Sequence, residues 1–387
     1  MSGNVVRGNV VPGNFLPVNT VSLWQNPVSA TPRFDFRLPP ELEAGEPVEA
    51  RGLRRDQVRL MVSRRSSGQM IHTRFQHLAD FLDPGDLLVI NTSGTRNAAL
   101  NAVRVSPDGE RVELHLSTHL PGDLWVVELR QPTPQGTEPL FDAQPGEALA
   151  LPDGGRVSLH TPYRASQNNP RERGQLHVRL WTASLDIPLP LDDYLARHGF
   201  PIRYKYVKKA WPNAYYQTVY ATEPGSAEMP SAGRAFTPEL ITRLVARGVQ
   251  FAPLLLHTGV ASLEEDERPY EEYYRVPADT ARMVNAARSA GKRVAAVGTT
   301  VMRALETVTE ADGHTNPGEG WTDLVISAED SIRAANALLT GLHEPRSSHL
   351  AILAALAGPE HVQAAYAAAL EKGYRWHEFG DLHLILP

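Results

Sequence analysis

Between residues 98 and 182 the chain changes period, and this change constrains the fold more than any other feature. LNAVRV, RVELHLS, LWVVELR, RVSLH and QLHVRLW alternate apolar and polar residues, the two-residue period of half-buried strands. Pro107-Asp108-Gly109, Pro121-Gly122-Asp123 and Asp153-Gly154-Gly155 supply turns between them. No helical pattern interrupts the block. Short strands spaced by such turns read as a small antiparallel barrel or sandwich.

The flanks read differently. Before the block, Val58–Val62 and Leu87–Ile90 have the texture of strands and His72–Phe81 that of a short helix. After it, helices are expected over 191–198, 278–290, 300–309, 347–356 and 360–372, and strands over 249–256, 293–297, 324–326 and 382–386. Another helix opens at Thr237-Pro238-Glu239, with Thr as its cap and Pro in the first helical position. Strands alternating with helices predict a largely parallel, helix-covered sheet. The expected fold is therefore α/β: a mostly parallel sheet body over 31–97 and 183–387, with an inserted antiparallel β-barrel domain over 98–182. Residues 1–30 are almost uncharged and repeat Gly-Asn and Val-Val. They lack the basic start of a signal peptide and read as a flexible extension.

Composition enters mainly as exclusion. The chain has no cysteine, so disulfides, thiol nucleophiles and cysteine metal sites are ruled out. No apolar run has the length of a membrane helix. The net charge of -6 disfavours a general grip on nucleic acid and leaves room only for local basic patches. The fourteen histidines are dispersed, without HExxH or a paired acidic motif, so no metal is expected. GxSxG is absent as well. A cytoplasmic protein, monomeric or weakly oligomeric, is the expectation.

In open α/β sheets ligands sit at the carboxyl ends of strands. RVAAVGTTVMRALETV, residues 293–308, is such a junction. Gly298 permits close backbone approach, and the first helical amides beside Thr299 and Thr300 suit a carboxylate, a phosphate or ribose hydroxyls. The same residues equally make an ordinary capped helix. His257 ends another strand, as an acid/base group or as a structural histidine. Trp321-Thr322-Asp323 offers a ring that stacks on a base or packs in the core, and a carboxylate that caps or orders a loop. In His343-Glu344-Pro345-Arg346-Ser347, Arg346 presents a fork for a carboxylate or phosphate ahead of a serine cap. Asp381, after Gly380, is a turn residue or an acceptor from ribose hydroxyls. Tyr216 and Gln217 follow RYKYVKKAW, whose interleaved basic and aromatic residues suit either RNA or a solvated loop.

Taken in order, FDFRLPPEL, DPGDLLVIN, YQTVYA, PSAG, FTPEL, LHTGV, VAAVGTT, RALE, GWTD, LLTGLHEPRSS and FGD resemble the S-adenosylmethionine:tRNA ribosyltransferase-isomerase family of queuosine biosynthesis, from Phe34 to Ile385. The resemblance implies an α/β body with an inserted barrel and no metal or cofactor. S-adenosylmethionine would be the co-substrate. Its ribosyl part would be transferred and rearranged onto a 7-aminomethyl-7-deazaguanine base in tRNA, or onto another acceptor in this divergent member. A catalytically inactive paralogue that binds S-adenosylmethionine or RNA is the alternative. Such chemistry needs positioned proton-transfer groups, for which His257, His343 and Asp381 are the candidates. Tyr216, Gln217, Gly298, Thr299, Thr300, Arg303, Asp323 and Arg346 are the candidates for substrate binding. Departures from the family pattern fall at Ala235, in place of a histidine, and at Glu267-Arg268-Pro269-Tyr270, where two histidines are missing. Gly259-Val260-Ala261 departs too, and Arg96 stands in for one of two displaced arginines.

Overall fold

The computed structural model describes residues 34–106, 108–133, 136–163, 178–260 and 270–387. The expected N-terminal extension and residues 261–269 lie outside these. Strands β1 (Arg59–Arg64) and β2 (Met70–Arg74) form an antiparallel hairpin, and β3 (Leu87–Asn91) and β4 (Ser93–Thr95) follow. The helix expected over His72–Phe81 is thus divided. Ile71 and Thr73 are β-branched and pair with β1, and only Phe75–Phe81 winds, as a 3-10 helix.

The next strands are β5 (Ala99–Arg104), β6 (Arg111–Leu120), β7 (Leu124–Thr133), β8 (Gly136–Pro139), β9 (Ala148–Ala150), β10 (Arg156–Pro162) and β11 (Leu180–Asp186). The order β11-β10-β9-β5-β6-β7 closes on itself because β11 also pairs with β7, and every pair is antiparallel. Leu114, Val127, Leu129, Leu159 and Trp181 fill this barrel. Helix α1 (Leu191–His198) contributes Tyr194 and Leu195 to the same core, and the Tyr194 hydroxyl donates to the Pro152 carbonyl at 2.6 Å. The barrel unit therefore runs past residue 182, because the amphipathic face of α1 has its apolar partner there and not on the body.

The remaining elements are β12 (Gly199–Phe200), β13 (Glu223–Ser226), α2 (Pro238–Ala246), β14 (Gln250–Leu256), β15 (Glu272–Val276), α3 (Ala278–Ser289), β16 (Val294–Val297), α4 (Thr299–Thr307), β17 (Gly318–Thr322), β18 (Ala337–Gly341), α5 (Ser348–Ala357), α6 (Pro359–Glu371) and β19 (Leu382–Leu386). They complete a nine-stranded sheet in the order β17-β15-β14-β3-β16-β18-β19-β1-β2. Its centre, β14-β3-β16-β18, is parallel, and the antiparallel pairs lie toward its edges. The strand expected at 324–326 falls earlier, at Gly318–Thr322, and Ala337–Gly341 takes the interior place. Helices α3 to α6 cover one face through Val284, Leu305, Leu353 and Ala365. Leu240 and Leu244 of α2 cover the other, together with Phe75 and Leu78. The central strands are buried on both faces, which is why they read as continuous apolar runs.

This topology selects one edge. The four parallel strands all end on it. Thr322 of β17 ends there too, because β17 is antiparallel to β15 and β15 to β14. β19 starts there, beside Gly341.

Candidate functional site

The sharpest turn on this edge joins β16 to α4. Gly298 has φ 100° and ψ 152°, a conformation open to glycine and strained for other residues. Its amide donates to the Leu339 carbonyl at 2.8 Å, which locks the turn onto β18. No side chain caps α4, so its first amides face the edge of the sheet. The Thr299 hydroxyl shares a 2.9 Å hydrogen bond with His349 Nδ1. The His349 ring stacks on His343, with centroids 4.5 Å apart and planes at 23°. His343 Nε2 in turn bonds the Thr340 hydroxyl at 2.7 Å. The backbone of His343 is held on both sides: its amide donates to the Tyr366 hydroxyl and its carbonyl accepts from Trp376 Nε1. Burial pushes the His349 imidazole down to about 4, with the Arg303 charge adding to the effect. Burial also holds His343 well below the usual histidine range, and His349 reinforces it. Both rings are neutral near pH 7.

Arg303 lies one helical turn beyond Thr299 and is 8% exposed. Its Nε donates to the Leu324 carbonyl at 3.0 Å, and its Nη1 pairs with Glu272. Its Nη2 is buried and has no partner. A buried guanidinium nitrogen without an acceptor is costly, and a ligand carboxylate or hydroxyl would remove that cost.

A second cluster forms where β3 and β14 end. His257 Nδ1 bonds the Ser93 hydroxyl at 2.8 Å, and Ser93 bonds the Ser226 hydroxyl at 2.6 Å. His257 Nε2 stands 3.8 Å from Glu223, whose other oxygen pairs with Arg275 at 2.6 Å. Burial pushes His257 down to about 4, against the pull of Glu223. Tyr273 flanks the ring, and Trp321 meets Tyr273 edge-on at 5.7 Å. Trp321 is 38% exposed, so its ring is not core packing. Beyond His257, the Val260 amide donates to Ser117 Oγ of β6 at 3.0 Å, tying this strand end to the barrel.

Gly225 permits the close packing. A Cβ there would lie 2.2 Å from His257 Cε1. Gly225→Ala is expected to cost about 1–3 kcal/mol in urea unfolding and to move the His257 ring proton resonances. Unchanged resonances in a folded variant would mean that the ring is not held against β13.

A family model described as queuosine biosynthesis protein matches residues 31–385. The chain belongs to that family. A relative named S-adenosylmethionine:tRNA ribosyltransferase-isomerase, from Moorella thermoacetica, is 38% identical over 369 residues, which is 91% of this chain and 98% of the relative. Another of that name, from Thermotoga maritima, is 37% identical with the same coverage. A crystal structure titled as an S-adenosylmethionine tRNA ribosyltransferase from Thermotoga maritima matches with a TM-score of 0.50 and 31% identity. The match covers 91% of this chain and 99% of that one.

Within this queuosine-family fold the residues singled out from the sequence separate into groups. Gly298, Thr299, Thr300, Arg303 and His343 converge around the start of α4. His257 stands on the neighbouring strand ends, and Asp323 follows β17 on the same edge, exposed to solvent. Four others have internal duties. The Gln217 side chain brackets Thr95, accepting from its amide at 3.1 Å and donating to its carbonyl at 2.7 Å. Tyr216 packs on Phe379, and burial raises its hydroxyl to about 12. Asp381 accepts the backbone amides of Arg59 at 2.7 Å and Arg375 at 2.8 Å, clamping the start of β19. Arg346, at φ 63°, ion-pairs with Asp35 at 3.3 Å on the surface. Of the departures, Ala235 lies in the core beneath α2, Arg96 pairs with Asp192 of α1, and the Tyr270 hydroxyl accepts from Arg179.

His349, Ser93, Ser226 and Glu223 were not anticipated as site residues. Ser93 carries the signal that marked His257, a polar residue just past a buried strand. His349 gives none, because its contact with His343 forms only when the loop between β18 and α5 closes. Among the described residues no group of three or more His, Asp or Glu side chains gathers as a metal would require, and no helix is long and apolar enough to cross a membrane.

Proposed function

We propose that this chain transfers the ribosyl part of S-adenosylmethionine and isomerises it onto a 7-aminomethyl-7-deazaguanine base in tRNA. S-adenosylmethionine is co-substrate, no metal takes part, and the reaction is cytoplasmic. The single observation that carries the donor site is the buried, unpartnered Nη2 of Arg303, beside Thr299 and the stacked histidine pair at the uncapped start of α4. The names borne by relatives along nearly the whole chain favour an active enzyme over a binding-only protein.

In this reading Gly298, Thr299 and Thr300 hold ribose or carboxylate oxygens, and Arg303 completes the grip. His257 is neutral near pH 7 and so is competent to take a proton, and Ser93 at Nδ1 orients it. Glu223 faces the opposite nitrogen and would stabilise the imidazolium that forms. His343 and His349 bring neutral donor and acceptor nitrogens to the departing adenine.

Adenine release from S-adenosylmethionine and tRNA bearing the aminomethyl-deazaguanine base tests the proposal. Release that depends on this tRNA is expected. No release with that tRNA refutes the reaction. Thr299→Val with Thr300→Val is expected to weaken S-adenosylmethionine binding about tenfold or more. Unchanged affinity would place the donor elsewhere.

A further inference from the structure

One cavity stands well apart from this site. It lies on the opposite edge of the sheet, where β18 begins and β1 ends. Arg65, Arg288 and Arg333 line it with Ala334, Asn336 and Leu356, around a volume of about 220 Å³. Arg65 directly follows β1, Arg288 is in the last turn of α3, and Arg333 is in the loop leading to β18.

The charge in this cavity is poorly matched. Arg333 Nε reaches Glu306 Oε2 at 3.4 Å, and the other oxygen of Glu306 accepts the amides of Arg333 and Ala334 at 2.9 and 2.7 Å. Arg65 Nη1 donates to the Leu356 carbonyl at 2.6 Å, and Arg288 Nη1 donates to the Gly313 carbonyl. Among the described residues neither Arg65 nor Arg288 has a carboxylate within ion-pair distance. Two guanidinium charges thus have neutral partners only, and each guanidinium carries five donors. His361, lying near Arg65, is pushed below the usual histidine range by burial and then by that arginine.

Cations facing helix carbonyl ends are ordinary, and this accounts for the contact of Arg65 with the end of α5. It does not account for three arginines around one cavity in a chain of net charge -6. The cavity is smaller than the roughly 300–1,000 Å³ that drug-sized ligands occupy, so a compact oxyanion fits it better than a nucleoside. Guanidinium forks match phosphate oxygens in particular.

We infer that the Arg65–Arg288–Arg333 cavity binds a phosphate group, carried either by free phosphate or by the backbone of an RNA. The site is separate from the α4 pocket and stands whether or not that pocket takes S-adenosylmethionine.

The full chain would be titrated with inorganic phosphate, and separately with tRNA at several salt concentrations, alongside Arg65→Gln/Arg288→Gln. A phosphate site predicts that inorganic phosphate raises the melting temperature of the wild type, and that the double variant loses about tenfold or more in phosphate affinity. If the phosphate belongs to RNA, tRNA affinity falls as well, and the slope of log affinity against log salt drops by about 2. If it is free phosphate, tRNA binding is unaltered. Should the double variant not fold, phenylglyoxal labelling of the wild type serves instead. Phosphate or tRNA should then protect Arg65, Arg288 and Arg333 selectively. Absence of phosphate and tRNA effects in the variant, or of protection in the wild type, overturns the inference.

Discussion

Arg303→Lys is expected to lower adenine release about 100-fold while leaving the protein folded. The charge opposite Glu272 is retained, so the partly buried ion pair survives in reduced form. The fork is lost. A lysine ammonium cannot reach Glu272, the Leu324 carbonyl and a ligand at once, as Nη1, Nε and Nη2 can. The S-adenosylmethionine dissociation constant should rise together with the loss of turnover. Arg303→Met, by contrast, leaves the half-buried Glu272 unpaired and should cost about 1–3 kcal/mol of stability. Normal S-adenosylmethionine affinity in folded Arg303→Lys would show that the open Nη2 faces no ligand.

The second large effect concerns acid. Burial pushes His257 and His349 down to about 4 and His383 to about 3. His383 is wholly buried on β19. Its Nε2 bonds the Ser63 hydroxyl at 2.7 Å, Ser63 also bonds His361, and His383 Nδ1 has no partner. In the unfolded chain all three histidines titrate near 6.5. The unfolded state therefore binds protons first, and stability is lost as pH falls below 6.5, until the folded values near 4 and 3 are reached. Between pH 6.5 and 5 each histidine forfeits roughly 2 kcal/mol. Together that is comparable to the whole folding margin of a typical domain. Asp381 and Glu378, raised by burial, act in the opposite sense. Urea unfolding at pH 7.5, 6 and 5 should show this steep decline, and His383→Met should remove roughly 2 kcal/mol of it. A flat profile from pH 6.5 to 5 would contradict the assignment of these histidines as neutral and buried.

Much of this molecule was legible in its sequence, for identifiable reasons. The two-residue period of β5, β6, β7, β10 and β11 and the buried runs of β3, β14 and β16 are direct imprints of which faces meet water, whereas the short β8 and β9 are too brief to show a period. Thr237-Pro238 marked the start of α2 because cap chemistry is local, and the Thr237 hydroxyl does accept the Leu240 amide at 3.2 Å. The allegiance of α1 was not legible, because amphipathicity reports that a helix has an apolar face and not which core receives it. The Gly298 turn could be read because glycine, threonines and strand end are contiguous. The duties of Gln217 and Asp381 could not, because their partners Thr95, Arg59 and Arg375 are set by tertiary packing. His349 was hidden for the same reason.

The bond between Val260 and Ser117 has a wider consequence. The loop that carries His257 is anchored in the barrel wall, and β12, far along the chain, also pairs with β5 of the barrel. The insertion is therefore not a removable cassette. Excising it to make a minimal catalyst would cut the moorings of the loop beyond His257, so the barrel and the sheet have to be engineered together.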